Sequence, residues 1–491
     1  MIKFIKVLIS ASVIAIIILA CSSGWTSNSS APISSITLTV TDEKGYYIPP
    51  DFTGLSFESD ATGLNHRGVN GYLFGAFNKQ LIMLFQNSGL RNLRIGGSTV
   101  DRFHDAANNR AAIDSVFAFA KAVGIKVIYS LPLHNADADA SAATAQYIWT
   151  NYRDYLDSFS IGNEPNCPPY QEAKVGPIRN YEEYFPIWKN IYDKIITAIP
   201  EAKFNGPDTG GWQYTEEFAR DTKDYGNILF ITHHQYPNGQ PFLSDRTTRI
   251  PADTAIRRML SPNMLTGEYT KLHNLTCARV YPYGYRSRMT ESNDYLGGID
   301  GASNAMSSAL WALDYMHWQA FRGLAGINFH NNQWLKTCTV TMDEQGEYLC
   351  NPKAHAIRAF DMVTGGWTVP VDISNTDQMN LTAYAVKGDD YLYVTIINKT
   401  HGYGQEEPRQ ADVTISAKGF TKGKAEAMYL LAPGNDAGAI TGITLGGDSI
   451  TNFRPWQGKW RSISNNVDGQ YKVNVAESSA VVVKIPVIKL K

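Results

Sequence analysis

Residues 111–132 read AAIDSVFAFAKAVGIKVIYSLP, and this stretch carries the pattern on which the fold rests. Its first half places apolar residues at helical spacing and ends at Gly124, as a helix stop should. The second half, IKVIYSLP, is a short apolar run closed by a proline, which reads as a buried strand. A helix that leads straight into a strand is part of a repeating β/α unit.

The same alternation extends in both directions. Eight strand-like runs occur: FTGLSFE at 52–58, LRNLRIGG at 90–97, IKVIYSLP at 125–132, LDSFSIGNEP at 156–165, AKFNGPD at 202–208, ILFITHHQYP at 228–237, YRSRMTESN at 285–293 and LAGINFHNN at 324–332. Helix-like pieces lie between them, such as YLFGAFNKQLIMLFQNSG at 72–89. Eight units predict an α/β fold, a closed (β/α)8 TIM barrel over residues 50–350. The rival, an open doubly wound sheet, would want a glycine-rich phosphate turn near its start, and neither GxGxxG nor a P-loop is present.

Beyond Asn351 the texture changes to alternating runs separated by Gly, Asp and Asn, as in QMNLTAYAVKGDDYLYVTIINKT and RQADVTISAKG. This predicts a C-terminal all-β sandwich over 351–491. The segment ISSITLTVTDEKGYYI alternates in the same way, so N-terminal strands over 36–49 are expected to join that sandwich. At the start of the chain, a basic MIKFIK precedes the apolar VLISASVIAIIILA, too short for a comfortable membrane span and read as a lipoprotein signal peptide over 1–20. It ends at ILAC, which resembles a bacterial lipobox, so Cys21 is the expected lipidation site and 21–35 a flexible tether. The expected location is outside the cytoplasm, as a membrane-anchored lipoprotein facing the cell surface or the periplasm.

Lys and Arg number 44 against 46 for Asp and Glu, so no global field favours nucleic acid as a partner. Aromatics at 12% suit sugar-stacking surfaces as well as large cores. In an exported chain Cys338 with Cys350 could staple the hairpin-like CTVTMDEQGEYLC, while Cys167 and Cys277 could pair or stay free. No CxxC or His/Cys cluster suggests zinc, and no metal or cofactor is expected.

In a (β/α)8 barrel, catalytic groups sit where strands end and βα loops begin. Glu164 ends the fourth run and Glu291 ends the seventh, bracketed by Arg288 and Asn293. Carboxylates on those two strands can face each other across the barrel mouth, an arrangement suited to glycosidic bond cleavage. With RIGGSTVD at 94–101, GNEPN at 162–166, HHQYPNG at 233–239 and ESNDYLGG at 291–298, the chain resembles glycoside hydrolase family 79, the heparanase and β-glucuronidase family, in its bacterial exo-acting branch.

That resemblance implies Glu164 as acid/base and Glu291 as nucleophile of a retaining pair roughly 5 to 5.5 Å apart. It implies that Asn163 meets the sugar 2-hydroxyl, Tyr236 holds the nucleophile, His234 supports the site from behind and Ser98 contacts the sugar. Backbone N–H groups of Gly297 and Gly298 would take a uronate carboxylate. The chain departs from the pattern at the last strand, where His330, Asn331, Gln333 and Trp334 stand in place of a clamping tyrosine, and at Leu296. A modified uronate such as the 4-O-methyl form therefore stays open. Arg94 is either an ion-pair partner inside the barrel or a ligand. Tyr295 and Trp334 are either subsite walls or loop packing, His233 reads as a core histidine, and Glu58 and Asp60 lie near the end of the first strand.

Three functions compete. The first is an exo-acting β-glucuronidase working on uronic-acid-containing glycans or glycosides. The second is an enzyme of the same clan on a neutral sugar, a β-xylosidase or β-glucosidase. The third is a non-catalytic surface glycan-binding lipoprotein, against which the close pair of like charges argues. Nothing in these residues sets the oligomeric state.

Overall fold

The helix expected from the opening stretch forms over Arg110–Val123; Asn109 caps its first turn by accepting from the Ala112 N–H at 3.2 Å, and Gly124 ends it at φ +86°. A computed structural model describes residues 32–135, 137–167, 178–332, 335–404, 407–421, 423–463, 465–466 and 469–488. The signal peptide, Cys21 and Trp334 lie outside these residues.

Strand β1 (Ile33–Val40) comes first, followed by the eight parallel strands of a closed barrel: β2 (Thr53–Glu58), β3 (Asn92–Gly96), β4 (Lys126–Leu131), β5 (Leu156–Ile161), β6 (Phe204–Gly210), β7 (Ile228–Gln235), β8 (Ser287–Ser292) and β9 (Ile327–His330). Closure is made by β2, which pairs with both β3 and β9 and sets Ser56 level with Arg94 on one side and with His330 on the other. The outer layer contains α1 (Lys79–Ser88), α2 (Arg110–Val123), α3 (Ala138–Tyr152), α4 (Tyr181–Ala198), α5 (Thr215–Thr222), α6 (Ala252–Leu260), α7 (Met306–Ala320) and α8 (Lys353–Asp361). After β9 the chain makes a hairpin of β10 (Val340–Met342) and β11 (Tyr348–Cys350) before entering α8. Because α8 packs on α7 and α1, it is the barrel's eighth helix. The domain edge expected at residue 351 therefore lies beyond Asp361, since the apolar face of α8 is buried against its barrel neighbours.

The sandwich has two sheets. One orders β13 (Val371–Ser374), β1, β16 (Gln410–Ser416), β21 (Gln470–Val475) and β20 (Asn465–Asn466). The other orders β12 (Trp367–Val369), β14 (Leu381–Lys387), β15 (Tyr391–Asn398), β22 (Ser479–Pro486), β17 (Glu426–Leu431) and β18 (Thr444–Leu445), with β19 (Arg461–Ser462) on β17. Strand β1 runs parallel to β16 and starts at Ile33, so the tether expected to reach residue 35 gives way earlier. Its alternate residues from Ser34 to Val40 are buried, which ties the strand to the sheet from its first turn.

Barrel and sandwich are joined through a buried charge. Asp314 on α7 accepts from Lys399 Nζ at 2.8 Å, Tyr384 Oη at 2.8 Å and Thr382 Oγ1 at 2.7 Å. A buried carboxylate satisfied by three donors fixes geometry more than it adds stability.

Candidate active site

Strand β5 ends at Ile161 and the next three residues turn back over the barrel mouth. The turn is pinned by a carboxylate: Asp101 accepts from the N–H groups of Leu133, His134 and Asn163 at 2.7, 3.0 and 3.2 Å. Glu164 then adopts a left-handed backbone, φ +44°, with its N–H donated to the Asp208 carbonyl at 2.7 Å. A non-glycine residue held in that region by its surroundings is a feature of functional sites. Its side chain remains 23% exposed, enough to meet a leaving group. Gly210 at the end of β6 makes the room, because a Cβ there would lie 2.5 Å from Cys167 Sγ and 3.2 Å from the Glu164 carboxyl carbon.

Glu291 stands opposite on β8, its carboxylate surrounded by donors. Tyr236 Oη donates to it at 2.6 Å and Arg94 Nη1 at 3.1 Å, while Nδ1 of His330 and of His234 lie 3.6 and 3.8 Å away. Burial works to raise its pKa, but the pull of His330, His234 and Arg94 and the Tyr236 hydrogen bond overcome this and hold it down at about 2. An oxygen of Glu164 and one of Glu291 lie within 4.8 Å of each other, and His234 reaches both.

Below the pair lies a buried charge cluster. Arg94 donates to Asp208 at 2.5 Å, Asn163 Oδ1 at 2.6 Å, Ser56 Oγ at 3.0 Å and Glu291. His234 bridges Glu164, 2.8 Å from Nδ1, and Asp208, 3.4 Å from Nε2. Burial would lower the His234 pKa, yet Glu291, Asp208 and Glu164 together push it up to about 10, so the ring is a cation at neutral pH. Asp208 is held well below the usual carboxylate range, against its own burial, by Arg94 and His234.

Residues 383–482 match the model of the glycosyl hydrolase family 79 C-terminal beta domain. Over these residues the chain carries a domain like the C-terminal beta domain of glycoside hydrolase family 79. It is a glycosidase. No curated protein sequence matches it. Among solved structures it is similar to a 4-O-α-L-rhamnosyl-β-D-glucuronidase from Fusarium oxysporum, 16% identical with TM-score 0.69 over 92% of this chain and 99% of that one. It is also similar to a family 51 arabinofuranosidase from Xanthomonas axonopodis pv. citri, 15% identical with TM-score 0.67 over 92% and 100%. A monomeric β-xylosidase from Caulobacter crescentus is 16% identical with TM-score 0.59, again over 92% and 100%. At such identities these likenesses show the shared fold.

The structure brings Glu164, Glu291, Asn163, His234 and Tyr236 together with Arg94, which is a buried ion-pair partner. Ser98 lies at the edge of the mouth, its hydroxyl donated to Glu58 at 3.3 Å. His233 is buried and held neutral, its pKa lowered to about 3 by burial and by the charge of His234. Several expected roles are corrected. Tyr295 is fully buried in the apolar core and forms no subsite wall. The Asn331 amide is consumed by the backbone of Val340, donating at 3.0 Å and accepting at 2.9 Å. Gly298 donates its N–H to the Tyr295 carbonyl at 3.2 Å, so of the glycine pair Gly297 remains as the candidate carboxylate donor.

The four described cysteines are free, so the possible Cys338–Cys350 staple is not formed and Cys167 and Cys277 follow the unpaired alternative. In the hairpin Val340 is opposite Cys350, leaving Cys338 beyond the paired end with its Sγ against the Asn332 N–H at 3.1 Å, while Cys350 faces Ser88. Cys167 lies beside Glu164 with its thiol pushed up to about 12, chiefly by burial, and Cys277 is buried on a short helix. Glu164, His234 and Glu291 each present a possible ligand atom, all within 4.8 Å of one another, the spacing that a metal ion would need.

Sequence reasoning missed Asp208. It sits in GPDTG, where Pro, Asp and Gly read as a turn, and nothing local points to Arg94 across the barrel. Asp208→Asn is expected to lower stability by roughly 3–5 kcal/mol, because Arg94 and His234 lose a buried counter-charge. Asp208's contribution is present above about pH 4 and lost as pH falls through its depressed pKa. That of His234 is present below about pH 6.5 and lost as pH rises through about 10. The gap between wild type and variant should thus be widest between about pH 4 and 6.5 and narrow on either side. Urea midpoints measured across pH test this, and a pH-independent gap would reject the charge argument.

Proposed function

We propose that the chain is a retaining, exo-acting glycosidase that removes terminal β-linked glucuronic acid, or its 4-O-methyl form, from glycans or glycosides. The observation that carries this reading is the close approach of Glu164 and Glu291, one carboxylate partly open to the leaving group and the other buried among donors and kept ionised. In the first step Glu291 bonds to the anomeric carbon while Glu164 gives its proton to the departing oxygen. In the second, Glu164 takes a proton from water, which displaces the Glu291 ester and restores both groups. With Asn163 Oδ1 tied to Arg94, the amide NH₂ is the end turned to the sugar 2-hydroxyl.

Two features support glucuronate: the family 79 domain, and Gly297 in a left-handed turn, φ +75°, six residues after the nucleophile. A neutral sugar such as a β-xyloside or β-glucoside is the second reading, and the engagement of the Gly298 N–H with Tyr295 favours it. Turnover of p-nitrophenyl β-D-glucuronide beside the matching β-D-glucoside and β-D-xyloside decides between them. A strong preference for the glucuronide supports the first reading, and preference for a neutral glycoside overturns the substrate while keeping the mechanism. Inertness on all three, with retention on a glycan column, would make the chain a binding protein.

Membrane anchoring through lipid on Cys21 is part of the same proposal. Cys21→Ser should move the protein from the membrane fraction to the soluble one, and unchanged membrane retention would reject the anchor.

A further inference from the structure

The turn that presents Glu164 lies against an end of β6 that its neighbouring strand does not cover. Among the described residues β5 and β6 share one register pair, Phe159 with Phe204, so the last residues of β6 have no backbone ladder on that side. Backbone N–H and C=O groups at such a strand end still need partners. At Gly210 both partners come from one side chain: Asn166 Oδ1 accepts from the Gly210 N–H at 2.9 Å, and Asn166 Nδ2 donates to the Gly210 carbonyl at 2.8 Å. Asn166 Oδ1 also accepts from the Thr209 hydroxyl at 2.6 Å, which fixes the orientation of the amide. The amide thus does what a neighbouring strand would do.

The residue it grips borders the acid. A Cβ on Gly210 would lie 3.2 Å from the Glu164 carboxyl carbon, and Gly210 stands level with His234 on β7, whose Nδ1 is 2.8 Å from that carboxyl. Asn166 follows Glu164 in a turn that closes when the Cys167 N–H donates to the Glu164 carbonyl at 2.9 Å. Pro165 suits the second position of such a turn and narrows its backbone choices. The Glu164 N–H on the Asp208 carbonyl attaches this turn to β6 at one point, and the Asn166 amide attaches it at a second. Two points of attachment stop the turn from pivoting.

We propose that Asn166 is a positioning residue for the general acid, its amide locking the Glu164 turn to β6 and so setting where the carboxyl meets the leaving oxygen. The inference rests on the glycosidase reading of Glu164 and names the residue that makes its geometry. Because Asn166 acts through Glu164, its loss costs most where proton donation matters most. A displacement of the acid by about 1 Å is enough to cost roughly 10²-fold.

The test compares Asn166→Ala with wild type on two glycosides of the sugar that wild type prefers, one with a dinitrophenyl and one with an alkyl leaving group. On the alkyl glycoside kcat/KM should fall roughly 10–100-fold, whereas on the dinitrophenyl glycoside it should change by less than about threefold. A side chain that only stabilised the fold would lower both alike. Asn166→Asp, which keeps the acceptor contacts and loses the donated bond, should show the same pattern, and thermal unfolding identifies a variant that has failed to fold. Amide exchange of the peptide from Phe159 to Cys167 needs no turnover, and it should speed up at least about tenfold as the Glu164 and Cys167 N–H groups lose their fixed partners. Equal losses on the two glycosides, or unchanged exchange, overturns the clamp and leaves the reaction standing. If wild type turns over neither glycoside, the proposed reaction falls, and the exchange result alone upholds or rejects the clamp.

Discussion

Glu291→Ala is expected to lose roughly four orders of magnitude or more in kcat, whatever the leaving group, because in the proposed double displacement the covalent intermediate can form nowhere else. The geometry makes Glu291 the permanent anion of the pair: Tyr236 and Arg94 donate to it directly, and its pKa near 2 keeps it charged throughout the neutral and mildly acidic range. The acid side of the rate profile should therefore not report nucleophile protonation above about pH 3. Added azide should attack the vacated face and yield a glycosyl azide of inverted configuration. Since the alanine also strips a carboxylate from Arg94, Glu291→Gln serves as a second variant, and thermal unfolding shows whether either fold is lost. Residual activity above about one per cent in a folded variant would displace Glu291 from this role.

Glu164→Ala should behave differently. On substrates with poor leaving groups the loss should reach roughly 10²–10⁴-fold, the usual contribution of a positioned general acid. On a dinitrophenyl glycoside, whose leaving oxygen needs little protonation, the first step should be much less affected and azide should restore turnover with retained configuration. The structure supplies the reason for so local an effect. Glu164 is presented by a strained turn held through the Asp208 carbonyl and the Asp101 carboxylate, and neither contact involves its side chain. Its removal changes the proton supply while Arg94, Asp208 and Glu291 keep their mutual contacts. Equal losses across leaving groups would sink the assignment.

The two effects together would separate the roles of two residues that differ by environment alone. Both are glutamates and both stand at the end of a barrel strand. One is enclosed by Arg94, Tyr236, His330 and His234; the other is bonded to His234 and partly open to solvent.

Much of this was legible in the residues because the signals are local. Eight apolar runs with helical pieces between them announce the barrel, since burial on both faces requires continuous apolar strands and amphipathic helices. Glu164 and Glu291 are visible as carboxylates at strand ends. The eighth helix was missed because KAHAIRAFD follows a hairpin and precedes strands, so its place in the barrel depends on packing against α7 and α1. Cysteine spacing also misled, because twelve residues bring Cys338 and Cys350 near one hairpin without saying which residues the register places opposite each other.

By itself the sequence determined the alternating architecture and the two candidate glutamates, both set by short-range patterns of polarity and chain punctuation. Tertiary structure alone decided that Asp208 anchors Arg94 and His234 and that Tyr295 and Asn331 are withdrawn from the site. The physical reason is that charge, burial and hydrogen-bond capacity depend on partners brought together across the barrel, and those partners lie tens to hundreds of residues apart in the chain.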